Sequence, residues 1–251
     1  MKRCLLLPVL LLCLLWGCAP GSAPAELHIF AASSLTEPLT ELGARYEAAC
    51  GIKPVFTFDS SGTLKQQIEA GAACDLFVSA APKQMDELAV AEDATRRDLL
   101  ENRVVLCVPE GNPRGVTSLD DLAACLRAGD LLLAVGGADV PVGQYAREIF
   151  DFYGLEESEI ASCLTYGSNA REVMTQVAEG LVDCGLLYET DARAAGLTVV
   201  DTADGQCGRV LYPAAVLTTS AQPERARDFL TYLASEDASV IFEKAGFTAL
   251  R

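Results

Sequence analysis

The sequence predicts an α/β fold of two lobes, built from mostly parallel sheets flanked by helices, with a cleft between the lobes. Three observations carry this. Apolar runs of strand length alternate with stretches of helical spacing along nearly the whole chain, the rhythm of βαβ units. Late in the chain the pattern returns to one strand followed by two helices. A second visit to the first sheet explains that return better than one very long sheet does. Finally, 51% of the 251 residues are hydrophobic, enough for a large core.

The elements follow in order. Residues 26–31 read as the first strand. Leu35, Leu39, Leu42 and Tyr46 then recur at helical spacing, and Gly51 ends that helix. Residues 53–58 are rich in β-formers. A helix over 63–70 stops at Gly71, and 75–79 is a short buried strand. Residues 103–109 form another strand, and a helix over 118–128 precedes a strand over 131–135. Helices over 145–153 and 169–179 end at Gly154 and Gly180. Strands over 185–188 and 197–200 follow, then a strand over 212–217 and helices over 223–233 and 236–245. One lobe therefore takes residues 26–104 and 211–251, and the other 105–210. A ligand is expected between them, at strand carboxyl ends.

The first residues have a separate meaning. Met1, Lys2 and Arg3 precede an apolar stretch over residues 5–16, the layout of a secretory signal that is too short for a permanent span. Leu15-Trp16-Gly17-Cys18 resembles the bacterial lipoprotein processing site. Residues 1–17 are then removed, Cys18 takes a lipid that anchors the protein to a membrane, and residues 18–25 form a flexible leash. Ala23-Pro24-Ala25 offers the alternative of soluble secretion. Losing Lys2 and Arg3 takes the formal charge from −16 to −18. So acidic a chain does not bind nucleic acid by neutralising phosphates.

Beyond the signal lie Cys50, Cys74, Cys107, Cys125, Cys163, Cys184 and Cys207, with no C-x-x-C pair and a single histidine, His28. This pattern argues against a zinc site. Export permits disulfides, and Cys50–Cys74 and Cys163–Cys184 are the pairings that the alternation of elements favours. The alternative is that most are buried small hydrophobes.

Four strand-to-helix turns carry the chemistry. The first is Ala31-Ala32-Ser33-Ser34-Leu35-Thr36-Glu37, where Ser34 and Glu37 have capping-box spacing. The second is Asp59-Ser60-Ser61-Gly62-Thr63. The third, Val140-Pro141-Val142-Gly143, puts proline in a helix's first turn. In the fourth, Ser168-Asn169-Ala170-Arg171-Glu172, Asn169 has N-cap spacing to Glu172. Each turn presents free backbone N–H groups at the positive end of a helix. Small residues allow close approach, so turns converging on one cleft would hold an anion without Lys or Arg. Taken singly, each is more often an ordinary cap or turn. Tyr188 ends a strand aimed at the same cleft and brings a hydroxyl. Arg147 and Arg171 read as solvated surface charge, and His28 as a strand residue.

At Phe30-Ala31-Ala32-Ser33-Ser34-Leu35, Phe58-Asp59-Ser60-Ser61-Gly62-Thr63-Leu64, Val140-Pro141-Val142-Gly143-Gln144-Tyr145 and Gly185-Leu186-Leu187-Tyr188, the chain resembles the periplasmic molybdate-binding protein family of ABC transporters. The resemblance runs from Leu27 to Phe247. It implies a two-lobed class II binding-protein fold that holds molybdate or tungstate by hydrogen bonds alone. Ser34 and Ser61 would give hydroxyl and backbone donors, Val142 and Ala170 backbone N–H groups, and Tyr188 its hydroxyl. Family members often carry a small uncharged residue where Asp59 stands and alanine where Val142 stands, and Asp59 is expected to point away from the ion. The implied partners are a membrane permease with its ATPase. The protein is expected to act as a monomer, with no cofactor and no catalysis. Competing readings are a sulfate or thiosulfate binder, a ligand-sensing domain, and an exported α/β enzyme using Tyr188 and Asp59, which lacks a credible base or nucleophile pair.

Overall fold

The computed structural model describes residues 25–250. The expected signal segment, Cys18 and the leash as far as residue 24 lie outside the described residues. The first lobe opens with β1 (Ala25–Ala32), α1 (Thr36–Cys50), β2 (Ile52–Asp59), α2 (Ser61–Glu69) and β3 (Leu76–Val78). Helix α1 ends where Gly51 turns to a φ of 72°, a left-handed conformation that suits glycine. A short α3 (Pro82–Asp86) and β4 (Arg97–Asn102) complete the outward path.

Only Arg103 separates β4 from β5 (Val104–Val108), which already belongs to the second sheet. The second lobe continues through α4 (Leu119–Ala128), β6 (Leu133–Gly136), α5 (Pro141–Phe152), β7 (Leu164–Gly167), α6 (Ala170–Ala178), β8 (Cys184–Tyr188), α7 (Glu189–Ala194) and β9 (Thr198–Thr202). The chain then re-enters the first sheet as β10 (Val210–Val216). It ends with α8 (Pro223–Leu233), α9 (Glu236–Ala245) and β11 (Thr248–Ala249).

The two sheets run β11-β4-β10-β3-β1-β2 and β7-β6-β8-β5-β9. Both are mixed, which corrects the expectation of mostly parallel sheets. Strands β2-β1-β3 and β7-β6-β8 are parallel, whereas β10 is antiparallel to β3 and β4, and β5 to β8 and β9. The reversed strands β10 and β5 border the crossings between lobes. A reversed strand covered by helices on both faces is as uniformly apolar as a parallel one, so its direction leaves no mark on the pattern. Val104, Val105, Leu106, Cys107 and Val108 are all buried.

A continuous apolar core runs through both lobes. In the first, Leu27 and Ile29 of β1 meet Leu39 and Leu42 of α1 and Phe229 of α8. In the second, Leu106 and Leu133 meet Ile149 and Phe150 of α5. Each such fully buried side chain stabilises the fold by about 1.5–3 kcal/mol. Tyr46 meets Phe229 edge to face, with ring centroids 4.8 Å apart.

All seven cysteines among the described residues are free thiols, so neither expected disulfide is present. Cys50 is exposed at the end of α1, while Cys74 is buried beside Leu76, whose carbonyl accepts its thiol. Cys163 and Cys184 turn to different carbonyls, those of Leu126 and Leu132. Burial pushes the Cys74 and Cys107 thiols up to about 12, which leaves them protonated and unreactive at neutral pH.

Candidate functional site

The parallel halves of the two sheets point their carboxyl ends at each other, and there the four turns meet. Ser34, Ser61, Val142, Ala170 and Tyr188 all line one cavity, together with Ala32, Ser33, Asp59, Ser60, Ala80, Val140 and Pro141. No lysine, arginine or histidine is among them. The lobes are drawn together, and the enclosed space is about 10 Å³, on the scale of one water-sized sphere. A ligand must therefore reach it with the lobes apart.

Each turn presents its donors for a local reason. Ser61 is the first residue of α2, and the Ser60 hydroxyl caps that helix by accepting the Thr63 N–H at 3.1 Å. Pro141 opens α5 with its fixed φ, leaving Val142 in the first turn. Asn169 caps α6 by accepting the Glu172 N–H at 3.0 Å, which leaves Ala170 as that helix's first residue. In all three cases the N–H lies in a turn that has no intrahelical acceptor, at the helix's positive end.

The first turn differs from its expectation. Ser33–Leu35 form a 3₁₀ turn with no side-chain cap, so the capping box does not form. The Ser34 hydroxyl instead lies 3.0 Å from the Tyr212 hydroxyl on β10. Glu37 reaches across the cleft to Arg171, 2.5 Å away. The same sequence spacing serves a tertiary contact here because Tyr212 competes for the serine.

The other hydroxyls are held just as firmly. Ser61 is fully buried, and its Oγ accepts the Ala80 N–H at 2.9 Å. The Tyr188 hydroxyl donates to the Ala80 carbonyl at 3.4 Å, a long bond that joins the second lobe to the first. Burial raises the Tyr188 phenol well above its ordinary value, and the neighbouring Tyr212 and Tyr145 hydroxyls add to this, so it remains a donor. Asp59 is among the residues around the cavity, and its Oδ1 is held by the Ser60 N–H at 2.7 Å, within its own turn.

The two arginines stand outside the cavity. Arg147 pairs with Glu157 at 2.8 Å and donates to the Gly143 carbonyl, while Arg171 pairs with Glu37. His28 is a β1 residue whose N–H donates to Asp75. Sequence reasoning missed Ala80, which both Ser61 and Tyr188 address, and Gly62. A Cβ on Gly62 would lie 2.1 Å from the Asp139 carbonyl oxygen of the opposite lobe, so glycine is needed for the lobes to close. The one sequence signal for that role was the small-residue character of the 59–63 turn.

Residues 27–248 match the bacterial extracellular solute-binding protein family. The chain belongs to that family. It is 32% identical over 93% of its length to YvgL of Bacillus subtilis, provisionally named an ABC transporter substrate-binding lipoprotein, and covers 92% of that protein. It is also 32% identical over 91% of its length to the molybdate-binding protein ModA of Escherichia coli, again covering 92%. A solved substrate-binding domain from Clostridium difficile, provisionally assigned to a molybdenum ABC transporter, is 31% identical. It superposes with a TM-score of 0.66 over 90% of this chain and 100% of that one. A more distant relative in sequence, aconitate isomerase of a Pseudomonas species, is 27% identical over 88% of this chain and 86% of its own. Among the described residues no helix is long and apolar enough to cross a membrane.

Proposed function

We propose that this solute-binding protein captures molybdate or tungstate outside the cytoplasm and delivers it to an ABC importer, a permease with its ATPase. It acts as a monomer, held at the membrane by lipid on Cys18. The observation that carries the reading is the chamber itself. Donors from four turns and one tyrosine, drawn from both lobes, surround a space that no cationic side chain lines. A fully deprotonated tetrahedral dianion suits such a set, because every oxygen accepts and none needs an acceptor in return. Hydrogen phosphate carries a proton and would need one. Sulfate has no proton but is smaller, so the spacing of the walls must reject it.

The chamber does not suit catalysis. No histidine, lysine or thiol lines it to act as base or nucleophile, and its one carboxylate, Asp59, has its Oδ1 held by the Ser60 N–H. The names of the two ABC-type relatives and of ModA support the same reading.

Titration calorimetry on the mature chain tests it. Molybdate and tungstate should bind with micromolar or tighter affinity, and sulfate and phosphate at least about a hundredfold more weakly. Heat with sulfate alone would reassign the ligand, and heat with a tricarboxylate alone would favour the enzyme reading. For the anchor, Cys18→Ala should release the protein from the membrane fraction.

A further inference from the structure

Ser34 is not an isolated hydroxyl. It ends a chain of hydrogen bonds that begins on the backbone of the strand crossing between the lobes. The Arg103 N–H, which can only donate, points at Asn102 Oδ1 at 2.8 Å and so fixes the orientation of that amide. Asn102 Nδ2 then faces Thr190 Oγ1 at 2.9 Å and the Tyr212 hydroxyl at 3.3 Å, one hydrogen for each. With Tyr212 accepting from Asn102, its own buried hydroxyl hydrogen is satisfied by donating to Ser34 Oγ, 3.0 Å away. Ser34 therefore accepts, and its proton is left to the chamber that it lines. Tyr212 and Asn102 are both buried, and burial holds the Tyr212 phenol far above its ordinary value, so the chain keeps its protons.

We propose that Asn102 and Tyr212 are positioning residues that turn the Ser34 hydrogen toward the chamber, so that the site favours oxyanions that only accept over protonated ones. Neither residue lines the chamber. The inference rests on the oxyanion reading above and deepens it. Ser61 is biased the same way independently, since the Ala80 N–H takes one lone pair of its oxygen and leaves its proton free for the chamber. A hydroxyl that could rotate would serve a donor or an acceptor equally well. In these two the hydrogen is already directed at the chamber, so a ligand whose oxygens all accept is favoured over one that must also donate.

The test is calorimetry at pH 8, where phosphate is largely a dianion with one proton, comparing molybdate with phosphate on the full chain. In Tyr212→Phe the Ser34 oxygen loses its donor, so molybdate affinity should fall about tenfold while phosphate affinity holds or rises. In Asn102→Asp the amide donor becomes an acceptor and the chain reverses. Tyr212 then donates away from Ser34, and the molybdate-to-phosphate ratio should fall further. Thermal melting shows that each variant is folded, and two variants guard against the loss of one. A residue that merely supported the fold would lower both affinities together and leave the ratio unchanged. A ratio equal to that of the wild type in both variants overturns the proposal and leaves the molybdate reading intact. If the wild type binds sulfate and not molybdate, the molybdate reading fails, and the same fall must then appear in the sulfate-to-phosphate ratio. No binding of any oxyanion by the wild type overturns both.

Discussion

Ser34 has a cavity on each side, and the two differ in every respect that matters for an anion. The chamber in front encloses about 10 Å³ and is walled by hydroxyls, helix starts and small apolar residues, with Asp59 its one charged group. The cavity behind it is about 270 Å³ and carries the charges: Glu37, Asp191, Arg193 and Lys244. Neither size nor charge, then, marks the place proposed for the oxyanion. A chain of formal charge −16 repels a dianion at a distance, but a bound ion responds to the nearest dipoles. In a dry, closed space those dipoles act at low effective dielectric. Lys244 and Arg193 are exposed and solvated, so their attraction is screened. On the proposed reading, preorganised neutral donors outweigh free charges at this site.

The comparison breaks first if closure does not matter. Gly62 packs its α-carbon against the Asp139 carbonyl across the cleft, and a methyl there would approach it to 2.1 Å. Gly62→Ala should hold the lobes apart and weaken molybdate binding about a hundredfold, while the melting temperature of the ligand-free protein stays put. Gly143→Ala is the control. Its methyl would clash at 2.1 Å with Gly136 inside the second lobe, and it should lower the melting temperature. The next largest effect separates the chamber's own walls. Ser34→Ala and Ser61→Ala should each weaken binding by about 1–3 kcal/mol, because each removes a donor to a buried charge. Unchanged affinity in both would refute the assigned site.

The rear cavity should respond to pH and not to the ion. Asp191 is buried, with its Oδ2 unpartnered. Burial, reinforced by Glu37, raises its carboxyl to about 7 from an ordinary 3.8, with Arg171 opposing. Between those two values the folded chain holds a proton that the unfolded chain has released. Stability therefore falls as pH rises through that window and is flat above it. Asp191→Asn should remove the slope. At pH 8 it should gain about 1–2 kcal/mol, since the amide's own unmet hydrogen bonds offset part of the linkage, and the gain should vanish near pH 4. Denaturant melts at both pH values measure this. Molybdate affinity should change by less than about threefold, as expected for a wall that the ion does not touch.

The chamber was legible in the sequence because its parts are local. A serine or asparagine cap, a proline in the first turn and a run of small residues each announce a helix start within a few positions, and Tyr188 ends an apolar run. Whatever depends on partners far along the chain was not legible. The Ser34–Tyr212 bond spans 178 positions, and the capping-box spacing of Ser34 and Glu37 gave no hint that both side chains are used elsewhere. Strand β4 escaped notice because four of the six residues of Arg97–Asn102 are polar. It is a strand by virtue of β10 and β11 on either side, not by its own propensity. The helix α7 was missed for a similar reason. Its Thr190 and Asp191 are buried polar residues, which in a short segment read as loop.

The smallest effect tests whether charge contributes anything to closure. Glu37 and Arg171 lie 2.5 Å apart across the cleft, with side chains 61% and 47% exposed. Water screens such a pair, and ordering two long side chains costs entropy, so it should contribute about 0–1 kcal/mol. Arg171→Ala should therefore weaken molybdate binding by no more than about fivefold, and 0.5 M salt should bring the wild type and the variant together. Arg171 follows directly on Ala170, which lines the chamber, so a larger loss that salt does not touch would mean the guanidinium acts on the ion itself. In that case the absence of cations from the chamber would be only apparent, and the contrast between the two sides of Ser34 would have to be redrawn with a cation on the ion's side.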